Sequence, residues 1–119
     1  MMHKLAFMYS KELLKGVLKP ILLNLLRERG VMYGYEIVQA VKQMSLEKIL
    51  IKEGSLYPLL HALLAEGILV AESRQVDGRT RKYYRLSEKG ERETESAVNE
   101  LNDFMATIQL VLQTKPQQI

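Results

Sequence analysis

Apolar residues recur at three- and four-residue steps through Leu13, Val17, Leu18, Ile21, Leu22, Leu25 and Leu26, the spacing of one buried helix face. Gly30 ends this stretch, as a glycine just past a helix commonly does. Pro20 lies inside the span, and its missing backbone donor predicts a break between Gly16 and Pro20. After a turn at Val31-Met32, Tyr33-Gly34-Tyr35 opens a second helix of about a dozen residues, near the usual mean. Its inward stripe is Ile37, Val38, Val41 and Met44. Leu46 to Lys52 is too short for a clear period and reads as a connector with an extended stub.

Gly54-Ser55-Leu56-Tyr57-Pro58 reads as a helix start, with small capping residues and a proline placed in the first turn, where donors lack partners anyway. Gly67 supplies the stop. Leu56, Leu59, Leu60, Leu63 and Leu64 form the buried stripe, which leaves Ser55, Tyr57, Pro58, His61, Ala62 and Ala65 nearer the opposite side. Two strand-like runs follow, Ile68–Val76 and Arg79–Leu86, joined by Asp77-Gly78, a pair that favours the positive φ of a tight hairpin. In the second run Tyr84 and Leu86 share one face, and Arg81, Tyr83 and Arg85 the other. Ser87 caps a last helix whose first turn carries Glu88 and Glu91, suited to the positive end of its dipole. Ala97, Leu101, Phe104, Met105, Ile108, Val111 and Leu112 form a narrow seam along it. Such a seam seeks either a second chain or the helix's own domain.

The chain has 119 residues, enough for one core, and 47% hydrophobic with 26% charged residues marks a soluble globular protein. With no cysteine, disulfides, thiolate zinc sites and cysteine nucleophiles are excluded. No apolar run reaches the roughly 18 residues of a membrane span. Leu5-Ala6-Phe7-Met8 is too short for a secretory signal. A cytoplasmic location is expected. The net charge of +3 is unevenly distributed. Between residues 72 and 85, Arg74, Arg79, Arg81, Lys82 and Arg85 face only Glu72 and Asp77; between 87 and 112, six acids outnumber Lys89 and Arg92. The hairpin is therefore either built to meet an anion or simply a solvated charged surface. His3 and His61 are far apart, so no metal cluster is evident, no cofactor is implied, and no HExxH, phosphate-binding glycine loop or GxSxG elbow is present. An enzyme is not expected.

Helix, helix, helix, hairpin is the order of a winged helix-turn-helix. The expected fold is mainly α with a small antiparallel β-hairpin and a C-terminal dimerisation helix. Residues 1–86 would form the DNA-binding domain, 87–113 the dimerisation helix and 114–119 a flexible tail. A major groove about 12 Å wide admits one helix that reads base edges, and phosphate contacts from a basic hairpin hold it in register. Tyr33-Gly34-Tyr35-Glu36-Ile37, Gly54-Ser55-Leu56-Tyr57-Pro58-Leu59-Leu60, Glu66-Gly67 and the run from Gly78 to Gly90 resemble the signature blocks of PadR-type transcriptional regulators over roughly residues 12–90. The short C-terminal part resembles the compact branch, with one dimerising helix. The resemblance implies a homodimeric, sequence-specific DNA-binding regulator, most often a repressor, released by a small aromatic or drug-like effector. Two departures stand out. His61-Ala62 occupies positions commonly Lys or Arg in the family, and Leu101 and Phe104 lie where drug-binding members carry a stacking aromatic on the last helix.

The candidate DNA contacts are Ser55, Tyr57, Pro58 and His61 on the third helix, and Arg74, Arg79, Arg81 and Lys82 on the wing. Arg79, at the hairpin tip, is the first choice for a phosphate or minor-groove contact, the alternative being an exposed arginine on a solvated turn. Tyr57 either gives its hydroxyl to a phosphate or packs at the helix start. His61 is either a groove contact or a surface residue. Tyr33 and Tyr35 either help pack the second helix or contact a ligand, the first being preferred. The seam from Ala97 to Leu112 is the candidate dimer contact, with Leu101, Phe104 and Met105 the candidate effector contacts. The partners expected are a palindromic DNA duplex and a second copy of the chain, without a membrane. The competing reading is a winged-helix module that binds protein instead of DNA, suggested by the nearly uncharged third helix.

Overall fold

The computed structural model describes residues 9–113; the apolar start of the chain through Met8 and the tail at 114–119 lie outside them. The elements run α1 (Lys11–Lys15), α2 (Leu18–Arg29), β1 (Met32–Tyr33), α3 (Gly34–Met44), α4 (Glu53–Ala65), β2 (Leu69–Val76), β3 (Arg79–Leu86) and α5 (Glu88–Leu112). This is a winged helix-turn-helix followed by one long helix.

The break expected before Pro20 falls at Gly16-Val17. Pro20 then occupies the first turn of α2, where no carbonyl awaits its missing N–H. The break also rephases the chain, so Leu13, expected in the buried stripe, is 67% exposed. Gly30 ends α2 at φ 90, a conformation that disfavours any side chain.

Where a plain turn was expected at Val31-Met32, Met32 and Tyr33 form a strand paired with Tyr84 and Tyr83 of β3. The hairpin thus becomes a three-stranded antiparallel sheet of order β1-β3-β2. Met32 and Tyr84 are both buried, which fixes this register on the core side. In α3, Ile37, Ala40 and Val41 are buried and Val38 is half-buried, whereas Met44, expected inward, is 62% exposed at the helix end.

The connector forms no strand; Leu46 and Glu47 both take left-handed φ, 56° and 67°, and Ile51 anchors the chain in the core. That anchor starts α4 at Glu53, with Lys52 as its extended N-cap, one residue before the expected glycine. Pro58 accordingly lies in the second turn of α4, not the first, and has no N–H to offer the Gly54 carbonyl one turn back. Leu56, Leu60 and Leu63 are fully buried against Leu22, Leu23 and Leu26 of α2, Ile37 of α3, and Ile68 in one core. Asp77 (φ 51) and Gly78 (φ 75) make the hairpin turn with both central residues left-handed, as that dipeptide favours.

Ser87 caps α5 by accepting from the Gly90 N–H at 3.0 Å. Gly90 and Thr94 are buried, and the first half of α5 packs along α2, with Lys19 paired to Glu93 at 3.5 Å. The second half differs. Every residue from 102 to 113 is exposed, so this length does not fold back on its own domain. No helix among the described residues is long and apolar enough to cross a membrane.

Candidate nucleic-acid interface

Burying Leu56, Leu60 and Leu63 turns the opposite side of α4 outward, and Gly54, Pro58, His61, Ala62 and Ala65 lie there, all exposed. Their spacing of three and four residues makes them one continuous face. Of the α4 residues expected to touch DNA, Pro58 and His61 belong to it, while Ser55 and Tyr57 are half-buried at its margin. The face carries no Lys or Arg. A base-reading helix of this composition needs its affinity from elsewhere.

Tyr57 reaches back towards α3. A Cβ on Gly34 would stand 2.9 Å from Tyr57 Cζ and still closer to the hydroxyl, so only glycine admits this ring over the start of α3. Of the two roles open to Tyr57, packing at the helix start is therefore visible within the chain.

The wing supplies the charge. Cross-strand pairs Glu72–Tyr83, Arg74–Arg81 and Val76–Arg79 fix one face of the hairpin, and the pleat adds Arg85. Arg74, Arg79, Arg81 and Arg85 thus share a single outer surface, whereas Lys82, opposite Ser73, projects from the other side with Tyr84 and Leu86. Of the four wing candidates, three are brought together and Lys82 is not.

Arg74 and Arg81 are directly opposite, an arrangement in which like charges repel. Each is drawn onto a ring. The Arg81 guanidinium lies 4.1 Å from the centre of the Tyr33 ring, and that of Arg74 lies 4.4 Å from the centre of Tyr83. The two rings meet edge to face at 5.4 Å. Arg74 Nε also donates to Glu72 at 2.9 Å. Hydrogen bonding to the Tyr83 hydroxyl raises the Arg81 pKa above its ordinary value, outweighing the opposing effect of desolvation. Tyr33, expected to help pack the second helix or to contact a ligand, is thus part of the wing surface, while Tyr35 is 64% exposed. Its role could not be read from local pattern, because it depends on the β1–β3 pairing.

The far end of α4 is held by α5. Lys89 Nζ donates to the Glu66 carbonyl at 2.8 Å, and Ser87 Oγ to that of Gly67 at 2.6 Å. The Ser87 N–H donates to Ile68 O at 3.0 Å. Carbonyls just past the end of α4 are therefore satisfied by the first residues of the last helix.

Along α5, Ala97 and Leu101 are half-buried, and Phe104, Met105, Ile108, Val111 and Leu112 are exposed, at 37% for Ile108 and more than half for the others. A groove of about 390 Å³ between the α1–α2 junction and α5 is lined by Leu101 and Phe104 together with Pro20, Ala97 and Glu100; Met105 does not line it. Among the described residues no group of His, Asp and Glu side chains is arranged to hold a metal ion.

Residues 22–96 match the sequence profile of the transcriptional regulator PadR-like family. Transcriptional regulator Rv3488 of Mycobacterium tuberculosis is 52% identical over 40 residues, a match spanning 34% of this chain and only 37% of that protein. A transcriptional regulator of Clostridium thermocellum superimposes with a TM-score of 0.79 at 26% identity, over 87% of this chain and all of the other. A PadR family transcriptional regulator from Eggerthella lenta does so at 0.75 and 29% identity, over 87% and 88% of the two chains. With the fold, the arginine-faced wing and a profile match over most of the chain in agreement, the protein belongs to the PadR-like family of transcriptional regulators.

Proposed function

We propose that this regulator is a homodimeric, sequence-specific repressor of the cytoplasm. Residues 1–86 dock on DNA, and residues 87–113 join two copies. The observation that carries this reading is the gathering of Arg74, Arg79, Arg81 and Arg85 on one wing surface, in a fold that also leaves one face of α4 exposed. That surface suits a phosphate backbone, and α4, with Ser55, Tyr57, Pro58 and His61 on or beside its outward face, enters the adjacent major groove. Lys82 serves a phosphate from the opposite side of the hairpin. The uncovered seam of α5, with Phe104, Met105 and Ile108 at its centre, supports pairing with a second copy. Two-fold symmetry then calls for a palindromic operator with half-sites about one or two helical turns apart. The groove beside Leu101 and Phe104 offers a small aromatic effector a place to bind and release the complex.

Fluorescence anisotropy with duplexes from the protein's own promoter tests the reading, combined with sedimentation. Binding is expected to weaken steeply with salt, by a slope of about −0.9 per phosphate neutralised. Arg79→Ala with Arg81→Ala should abolish most of it, and Ile108→Glu should yield monomers. Absence of binding at low salt, or indifference to the arginine pair, overturns the proposal. The lack of any cation on the exposed face of α4 favours a second reading, a module that docks protein through that face. On that reading reversing the wing charge leaves partner binding intact and His61 substitutions destroy it.

A further inference from the structure

The geometry points to Tyr33 and Tyr83 as positioning residues that hold the wing arginines ready for the phosphodiester backbone, an inference that rests on the DNA-binding reading above. Arg74, Tyr83, Tyr33 and Arg81 form one ladder, guanidinium over ring, ring edge to ring face, guanidinium over ring, with spacings of 4.4, 5.4 and 4.1 Å. A guanidinium stacked on an aromatic face uses its π-surface for that contact. Its five N–H donors lie in its own plane, pointing away from the ring. Stacking therefore fixes the side chain without consuming the donors that phosphate requires.

The two arginines are not equivalent. Arg74 gives its Nε to Glu72. Arg81 has no carboxylate within ion-pair distance among the described residues and spends at most one donor on the Tyr83 hydroxyl. It is the better supplied with free donors, and the ring it rests on is tied to the helices. The Tyr33 backbone pairs with Tyr83 across β1–β3, and its N–H donates to Glu36 Oε1 of α3 at 3.1 Å. The next residue, Gly34, carries the Tyr57 ring of α4. Through Tyr33 the guanidinium of Arg81 is thus tied to α3 and, one residue on, to the reading helix itself. An unrestrained arginine loses much of its rotamer freedom on meeting DNA, whereas one already stacked has lost part of it beforehand.

The test is a double-mutant cycle on a duplex selected from a random pool by the parent protein, read by anisotropy across a salt series. Tyr33→Leu is expected to weaken binding roughly two- to fivefold, the range of an exposed cation–π contact, with an unchanged salt slope, because Arg81 still reaches its phosphate. Tyr33→Phe should recover the affinity lost in Tyr33→Leu. A ring-fluorinated phenylalanine at position 33 keeps shape and packing but cancels the negative ring face; it should bind as weakly as the leucine variant, which separates positioning from any folding defect. In an Arg81→Met background, whose salt slope falls by about one, Tyr33→Leu should have no further effect. Unaltered binding by the leucine and fluorinated variants, or an equal loss with and without Arg81, overturns the ladder and leaves DNA binding standing. A parent protein that retains no duplex at low salt removes both.

Discussion

Alanine at Gly90 and alanine at Gly54 should move stability in opposite directions, although both glycines are helical and intrinsic propensity favours alanine at each. At Gly54 a Cβ meets nothing within 4 Å. The expected gain is up to about 1 kcal/mol, or roughly 4 °C in a chain of this size. At Gly90 a Cβ would lie 3.2 Å from both the Ile68 carbonyl carbon and Leu86 Cδ2, and it would collide with the Ile68 oxygen. That carbonyl cannot easily retreat, because it accepts from the Ser87 N–H at 3.0 Å and from Ser87 Oγ at 3.1 Å. Overpacking typically costs about 1–3 kcal/mol, and weakening two hydrogen bonds adds about 1 kcal/mol each. Against a propensity gain of at most about 1 kcal/mol, the net loss is about 2–4 kcal/mol, near 8–16 °C. Thermal unfolding followed by far-ultraviolet circular dichroism measures both. A Gly90→Ala protein as stable as its parent would show that α5 does not sit tightly on the Ile68 carbonyl, and the account of that junction would be wrong.

Leu46 is 81% exposed at φ 56, so Leu46→Gly should stabilise by about 0.5–1 kcal/mol through relief of left-handed strain; a urea midpoint that falls instead contradicts this. Burial, reinforced by Tyr57, raises the Tyr84 pKa, so the folded protein keeps this phenolic proton after the unfolded chain has released its own. Its contribution is complete below the unfolded value of about 10 and declines as pH rises through the higher folded value. Denaturant titrations between pH 8 and 11 should show that alkaline decline, and Tyr84→Phe should reduce it.

The sequence pattern reveals most where the chemistry is local. Asp77-Gly78 marks its turn because few other pairs accept two positive φ values in succession. Gly30 and Ser87 act through their own backbone or hydroxyl, and each ends or starts a helix where expected. Local pattern fails where a distant segment decides. Two residues, Met32 and Tyr33, are too few for alternation to show, and they become a strand only because β3 lies alongside. The start of α4 at Glu53 owes nothing to a capping side chain; burial of Ile51 sets it, and Pro58 is carried one turn inward. Leu13 and Met44 fit helical stripes yet are exposed, because a helix break and a helix end remove them from the core. The arginine surface is half legible. Alternation in β3 predicts that Arg81 and Arg85 share a face, but Arg74 joins them only through the hairpin register, and Lys82 is excluded by the same pleat. The Tyr33 ring beneath Arg81 needs β1 as well.

These contacts make the end of α4 and the start of α5 one mechanical unit. Lys89, Ser87 and Gly90 all close on the carbonyls of Glu66, Gly67 and Ile68, which directly follow α4. Rotating α5 about that junction would strip several hydrogen bonds at once, each worth about 1 kcal/mol, whereas bending its exposed second half breaks none of them. If two copies meet along that exposed half, the angle between their last helices sets the distance between their reading helices with little slack. An effector wedged beside Leu101 and Phe104 would act at the point where the packed half of α5 gives way to the free half. There a small displacement is carried outward by the length of the helix, while the hold of α5 on α4 stays intact. Such a ligand would change the distance between the two α4 helices and leave the outward surface of each copy as it is.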